Sequence, residues 1–227
     1  MEKILVFDTE TAGGLVNPLV YDVGGVVMDK SGFVYHRFHY AVLDIIGNPH
    51  IMDTAYYASK MPIYWQKVAA GEIACLPFSD VLRKLTATID LYDIHTIAAY
   101  NFNFDNRALK NTCKFLYENE NWLNRSVDFA CIWAGACDTV MKTTKYIKWA
   151  EKNGYVTEKG NPQTNAEVCF RYITGNAGYN EEHTGGKDAE IEAHILAAIL
   201  RRRKKADFTP SAFPWKKVAD LKKEMEG

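Results

Sequence analysis

No two of the five cysteines (Cys75, Cys113, Cys131, Cys137, Cys169) stand in CxxC spacing. Zinc ligation needs thiolates and imidazoles at close, regular intervals, so a structural zinc site is not expected. An odd, scattered set also argues against a disulfide framework. Reduced, buried thiols are the expectation, which suits an intracellular, cytoplasmic chain. Long apolar runs are missing as well. None approaches the roughly 20 residues that a bilayer demands, so no membrane span is expected. The first residues enter a charged strand motif at once, and a signal peptide is not expected. The sequence contains no internal repeat and no low-complexity tract. Its net charge of −1 gives, as a total, no electrostatic footprint for nucleic acid.

What is present reads as one ordinary α/β domain with elaborations. The 227 residues are 48% hydrophobic and 24% charged, the balance of a soluble globular protein. The charge is unevenly placed. Residues 201–227 hold nine Lys/Arg against four Asp/Glu. Such a tail either grips phosphates or is a solvated helix end with a loose terminus; composition does not separate the two.

Periodicity predicts strands at 4–8, 20–28 and 33–40. The last two flank "MDKSG" and form a hairpin. Residues 53–72 read as helix, interrupted near Pro62, and Ser79 is placed to cap the next helix. "HTIAAYN" (95–101) reads as a short buried strand leading into a helix over 104–118. Another strand lies near 125–130, helices near 131–141 and 163–173, and a final helix over 187–204. Residues 208–215 read as extended. Strands first, then strand–helix alternation, means a mixed sheet flanked by helices.

Acidic residues then appear where apolar ones belong. Ile4, Leu5, Val6 and Phe7 run directly into Asp8, Thr9 and Glu10. Positions i and i+2 of a strand share a face about 7 Å apart, so Asp8 and Glu10 project together. In the helix after "AAYN", stepping back from Ala108 and Leu109 lands on Asp105. In the final helix, Asp188 stands three residues before Ile191, at the head of the stripe Ile191, Ile195, Ile199. An aspartate in a first helical turn favours the dipole, which accounts for either one alone. Four acids heading inward are jointly explained by convergence on cations. An all-oxygen donor set suits Mg²⁺ or Mn²⁺, and two such ions about 4 Å apart serve phosphodiester hydrolysis. His183 lies five positions before Asp188. Gly185 and Gly186 between them make the segment adaptable, and a neutral imidazole there is a natural general base.

These residues together resemble the DnaQ-like 3′→5′ exonucleases of the DEDDh group. "FDTETAGG" resembles the first motif, "YNFNFDNRAL" the second, and "HTGGKDAEIEAHIL" the third with its H-x4-D spacing. "ETAGG" is especially similar to the ribonuclease T branch. The resemblance covers roughly residues 3–204. It implies an exonuclease domain at 1–205, a helical elaboration at 41–94 within it, and a basic C-terminal tail at 206–227.

The resemblance further implies a ribonuclease H-like fold with a five-stranded mixed sheet. It implies Asp8, Glu10, Asp105 and Asp188 as ligands of two Mg²⁺ or Mn²⁺ ions and His183 as general base. The substrate is then a single-stranded DNA or RNA 3′ end, with DNA slightly favoured, and the product a nucleoside 5′-monophosphate. Glu10 and the backbone near Thr11 would hold the terminal 3′ hydroxyl. Leu15 or Val16 would wedge against the last base. Phe102 and Phe104 would support stacking, although Phe104 is equally suited to the core. Tyr56, Tyr57, Tyr64 and Trp65 suit either nucleotide stacking or the core. Related enzymes occur as monomers, dimers and polymerase subunits, which leaves a homodimer or a polymerase partner open. The alternative is a non-catalytic nucleic-acid-binding or polymerase-docking module that keeps the fold.

Overall fold

A computed structural model describes residues 2–55, 59, 61–180, 182–202 and 205–227. The elements in chain order are β1 (Lys3–Ala12), β2 (Leu19–Asp29), β3 (Val34–Val42), α1 (Leu43–Ile46), α2 (Pro49–Met52), α3 (Met61–Ala69), β4 (Ala74–Leu76), α4 (Phe78–Tyr92), β5 (Thr96–Ala99), α5 (Phe102–Tyr117), β6 (Asp128–Cys131), α6 (Ile132–Thr139), α7 (Thr144–Lys152), α8 (Ala166–Thr174), α9 (Gly185–Leu200) and α10 (Lys216–Glu226).

The strands form one sheet in the order β4-β3-β2-β1-β5-β6. The meander β1–β2–β3 is antiparallel, while β4, β5 and β6 pair in parallel with β3, β1 and β5. This is the expected mixed sheet flanked by helices, with six strands instead of five. The added strand is β4, three residues at the edge between α3 and α4. A run that short shows no alternation to read.

Period-two alternation along β1 divides the core. Leu5 and Phe7 face one cluster with α4 and α5, and Ile4 and Val6 face the other with α6 and α9. Asp8 and Glu10 continue the even-numbered face, the one toward α9. The β2–β3 turn is held by Asp29, whose carboxylate accepts hydrogen bonds from Ser31, Phe33 and Tyr35. These contacts draw its pKa down to about 2.

Several local expectations are corrected. Helix α4 starts at Phe78, whose N–H donates to Asp44 Oδ2 at 2.6 Å, so Ser79 lies inside the helix instead of capping it. Pro62 sits in the first turn of α3, where its missing N–H costs no intrahelical bond. Tyr64 is a core residue and Trp65 is exposed; Tyr56 and Tyr57 lie outside the described residues. Helix α7 has no counterpart in the sequence reading.

After α9 the chain crosses the edge of β6. There the Cys131 N–H donates to the Phe208 carbonyl at 2.8 Å, and the Phe208 ring occupies the space where Gly135 of α6 lacks a side chain. Residues 208–215 have no regular structure, and α10 follows with Val218 and Ala219 buried. Lys217 pairs with Asp138 and Asp207, and Lys222 with Glu151 and Glu226. These two of the nine basic residues in 201–227 are therefore matched on the protein itself. Four of the five cysteines are buried and all are free thiols. No helix among the described residues is long and apolar enough to cross a membrane.

Candidate active site

Each acidic side chain reaches the site by a different local route. Strand β1 is the buried centre of the sheet until Phe7, then emerges beside α9. Asp8 and Glu10 are thus carried to the sheet's end, and the register slips between Glu10 and Thr11. Helix α5 begins after Asn101, which takes a left-handed φ of 71°. That turn points the first helical turn back at β1. Asp105 is 3% exposed, and its Oδ1 accepts from the Thr9 hydroxyl at 2.7 Å and the Thr9 N–H at 3.2 Å. Thr9, on the odd face of β1, therefore fixes the carboxylate of Asp105. Asp188 is in the first turn of α9, 6% exposed, with its N–H donating to the Thr184 carbonyl.

Helix α9 reaches this position because two glycine backbones touch. A Cβ on Gly24 would lie 2.0 Å from the Gly185 carbonyl carbon, and one on Gly186 would lie 2.6 Å from His39 Nδ1. No side chain fits there. Gly185 and Gly186 serve close approach and are packed inside the first turn of α9. The adaptability expected of them from sequence does not apply.

The five predicted residues line one cleft of about 360 Å³. Ligand atoms of Glu10, His183 and Asp188 all lie within 4.8 Å of one another. Asp8 and Asp105 complete the wall. His183 has a φ of 52°, a left-handed conformation that costs energy for a residue with a Cβ.

The electrostatics are those of crowded anions. Burial holds the Asp8 carboxyl well above the usual range, and the charges of Glu192, Asp105, Asp188 and Glu10 add to the rise. Burial pushes Asp105 up to about 7, against the lowering effect of the Thr9 hydrogen bonds. Buried carboxylates are stable only when something positive pairs with them. The donors are oxygens with one imidazole and no thiolate, a set that suits a hard divalent cation. The residues present therefore fit such an ion.

The remaining predicted contacts divide. Phe104 lines the cleft, with the Arg107 guanidinium over its ring. Phe102 does not serve as a stacking platform. It is 2% exposed and packed between Phe7 and Phe129, at ring separations of 6.1 and 4.6 Å. Its place at the start of α5 turns it under the sheet. Leu15 and Val16 are 79% and 81% exposed on the loop after β1, and Arg107 donates to the Leu15 carbonyl. Thr11 is half-buried beyond the register slip.

Sequence reasoning missed two carboxylates. Glu192 is 3% exposed in the cleft and accepts from the Tyr100 N–H at 2.9 Å. The signal was its i+4 spacing from Asp188, hidden by reading the neighbouring Ile191 stripe as the whole inward face. Asp22 is fully buried in β2, opposite Glu10 in the register. A charged residue inside the apolar run "LVYDVGGVVM" was the available sign. The His194 ring packs on Phe170, and Glu190 pairs with Arg37 and Lys187.

No family model matches the sequence, and no curated protein matches it. Solved structures do. The chain is similar to Exonuclease I of E. coli in complex with a 5cy-dT13 oligonucleotide, at 13% identity and a TM-score of 0.53 over 88% of this chain and 40% of that one. It is similar to Exonuclease I of Methylocaldum szegediense at 16% identity and a TM-score of 0.55, over 90% of this chain and 41% of that one. A further Exonuclease I structure gives 15% identity and a TM-score of 0.54. The chain spans about two fifths of the length of these structures. It has the fold of the Exonuclease I structures, the ribonuclease H-like α/β arrangement that its DnaQ-like motifs imply.

Proposed function

We propose that this chain is a metal-dependent 3′→5′ exonuclease that releases nucleoside 5′-monophosphates from single-stranded nucleic acid, with DNA favoured over RNA. The observation that carries the reading is the meeting of Glu10, His183 and Asp188 within 4.8 Å, in a cleft also walled by Asp8 and Asp105. Four acids and a histidine from β1, α5, the loop before α9 and α9 itself have no common structural reason to gather in one cleft. The shared fold with Exonuclease I, one of whose structures holds a dT13 oligonucleotide, supports the choice of a DNA strand. The nuclease unit is assigned to 1–205, with 206–227 as an accessory segment.

Asp8, Glu10, Asp105 and Asp188 would hold two divalent cations, Mg²⁺ or Mn²⁺. When bound, such ions activate a water and stabilise the leaving oxygen of a phosphodiester. His183 takes the proton of the attacking water on a ring nitrogen. The water oxygen bonds to phosphorus, and the bond from phosphorus to the 3′ oxygen of the preceding nucleotide breaks. Thr9 keeps the Asp105 carboxylate oriented throughout, through its two hydrogen bonds. Leu15 or Val16 is exposed enough to pack against the terminal base, Phe104 borders the cleft for stacking, and Glu10 with the backbone near Thr11 takes the 3′ hydroxyl.

The test is digestion of single-stranded DNA and RNA, labelled at either end, with Mg²⁺ or Mn²⁺. Label at the 3′ end is expected to appear as mononucleotide from the first time points, and label at the 5′ end only in progressively shortened strands. Intact strands in both metals would overturn the proposal.

A further inference from the structure

A buried carboxylate outside the proposed ligand set binds three structural elements at one point. Asp22 of β2 is 0% exposed. Its Oδ2 accepts from the Tyr64 hydroxyl at 2.6 Å and from the Gly185 N–H at 2.9 Å. His39 Nε2 of β3 lies 2.8 Å from Oδ1 and 3.0 Å from Oδ2. Tyr64 belongs to α3, in the elaboration at 41–94, and its ring is fully buried against Tyr21. Gly185 is the first residue of α9, two positions after His183 and three before Asp188. Helix α3 makes a second tie from its next turn: Lys67 Nζ reaches Glu182 Oε2 at 3.0 Å. Glu182 immediately precedes His183. The His183 segment is thus held on one side by Lys67 directly, and on the other by Asp22 of β2, which Tyr64 of the same short helix contacts.

That holding has something to do. His183 sits at a φ of 52°, which its own backbone does not favour. The Gly24–Gly185 contact fixes how near α9 comes to β2, and the Tyr64–Asp22 and Lys67–Glu182 contacts add restraints on the residues that flank His183.

We propose that α3 is a positioning clamp for the general base: Tyr64 acting through Asp22 and Gly185, and Lys67 acting through Glu182, set the His183 imidazole over the carboxylates. The inference rests on the exonuclease reading for the role of His183, and not for the restraint itself. Neither Tyr64 nor Lys67 touches substrate in this account. They are positioning residues, and the elaboration that separates them from the shared sheet tunes the rate of the site it flanks.

The variants are Tyr64→Phe, which keeps the ring and removes the hydroxyl, and Lys67→Glu, alone and combined with Glu182→Lys. Two readouts are taken on the full chain: steady-state kinetics on a single-stranded oligonucleotide with Mn²⁺, and amide hydrogen exchange of the peptide spanning 182–188 without metal. Tyr64→Phe is expected to lower kcat about tenfold, the loss typical of a hydrogen bond to a buried charge, with KM within about twofold. Lys67→Glu is expected to lower kcat a few-fold, and the charge swap to restore it. Exchange of 182–188 should quicken in both single variants, while the β1 and β5 peptides stay protected. Wild-type kcat in the variants with unchanged exchange would overturn the clamp. So would a KM rise with kcat intact. If the wild-type protein cleaves nothing but exchange responds as described, the restraint stands and the exonuclease reading fails. Should Tyr64→Phe not fold, the Lys67 and Glu182 pair decides the matter by itself.

Discussion

At its C-terminal end β1 presents Asp8 and Glu10 to a cleft shared with Asp105, His183, Asp188 and Glu192. At its other end, roughly 20 Å away at about 3.3 Å per residue, Ile4 lines a cavity of about 440 Å³ with Thr96, Ala98, Leu196, Ile199 and Phe208. Both ends lie on the same face of the same strand, under the same helix. The difference comes from the direction of α9. Its first turn faces the acids with the positive end of the dipole. Its last turns bring Leu196, Ile199 and Leu200 to a cavity that Glu2, Lys30, Arg202 and Lys205 also line. One helix therefore brings a carboxylate to one end of the strand and apolar side chains to the other.

This contrast breaks most visibly in activity. Asp188→Ala is expected to lower mononucleotide release by about a thousandfold or more, the scale of losing a group that acts only in the transition state, with the far-ultraviolet circular dichroism unchanged. Retained turnover would mean that the cleft is not the reacting end. At the apolar end the effect should invert. Ile195→Ala, at a fully buried position, is expected to cost about 2–5 kcal/mol of stability by chemical denaturation. Its kcat should stay within twofold of the wild type where both are folded.

A third comparison uses pH. Asp105 moves from an ordinary 3.8 to about 7 in the folded protein, and Asp8 moves in the same direction. The unfolded chain releases these protons first as pH rises. Metal-free protein should thus be most stable near pH 4 and lose stability up to about pH 7. Mn²⁺ should reduce that loss and raise Tm by mass action, and Asp8→Asn should reduce it without metal. A melting temperature indifferent to both pH and Mn²⁺ would remove the electrostatic half of the contrast. The smallest effect belongs to the exposed loop. Leu15→Ser with Val16→Ser should raise KM for oligonucleotide a few-fold and leave kcat and Tm near wild type.

The carboxylates were legible because they violate the pattern around them: acids at the head of apolar stripes in α5 and α9, and acids ending an apolar strand. The sheet was legible for the same reason in reverse, since β1, β2, β3 and β5 keep the alternation or the apolar run that burial demands. Strand β4 was not, because three residues carry no period. Phe102 was misread because an aromatic beside a motif looks the same whether it turns outward or under the sheet, and only the packing on Phe7 and Phe129 decides. Asp22 was passed over because its partners, Tyr64, His39 and Gly185, are far from it in sequence. Side chains that meet only through tertiary structure leave a weak mark on the local pattern.

The hydrogen bond from Cys131 to Phe208 changes what a shortened protein would report. An outermost strand with an unsatisfied row of amides invites pairing with another molecule. Residues beyond 205 shield that row. Cutting the chain there would foster self-association, and weaker nucleic-acid binding by such a fragment would say little about the lysines removed with it. Neutralising Lys216 or Lys223 leaves the Cys131–Phe208 bond and the Lys217 and Lys222 pairs in place.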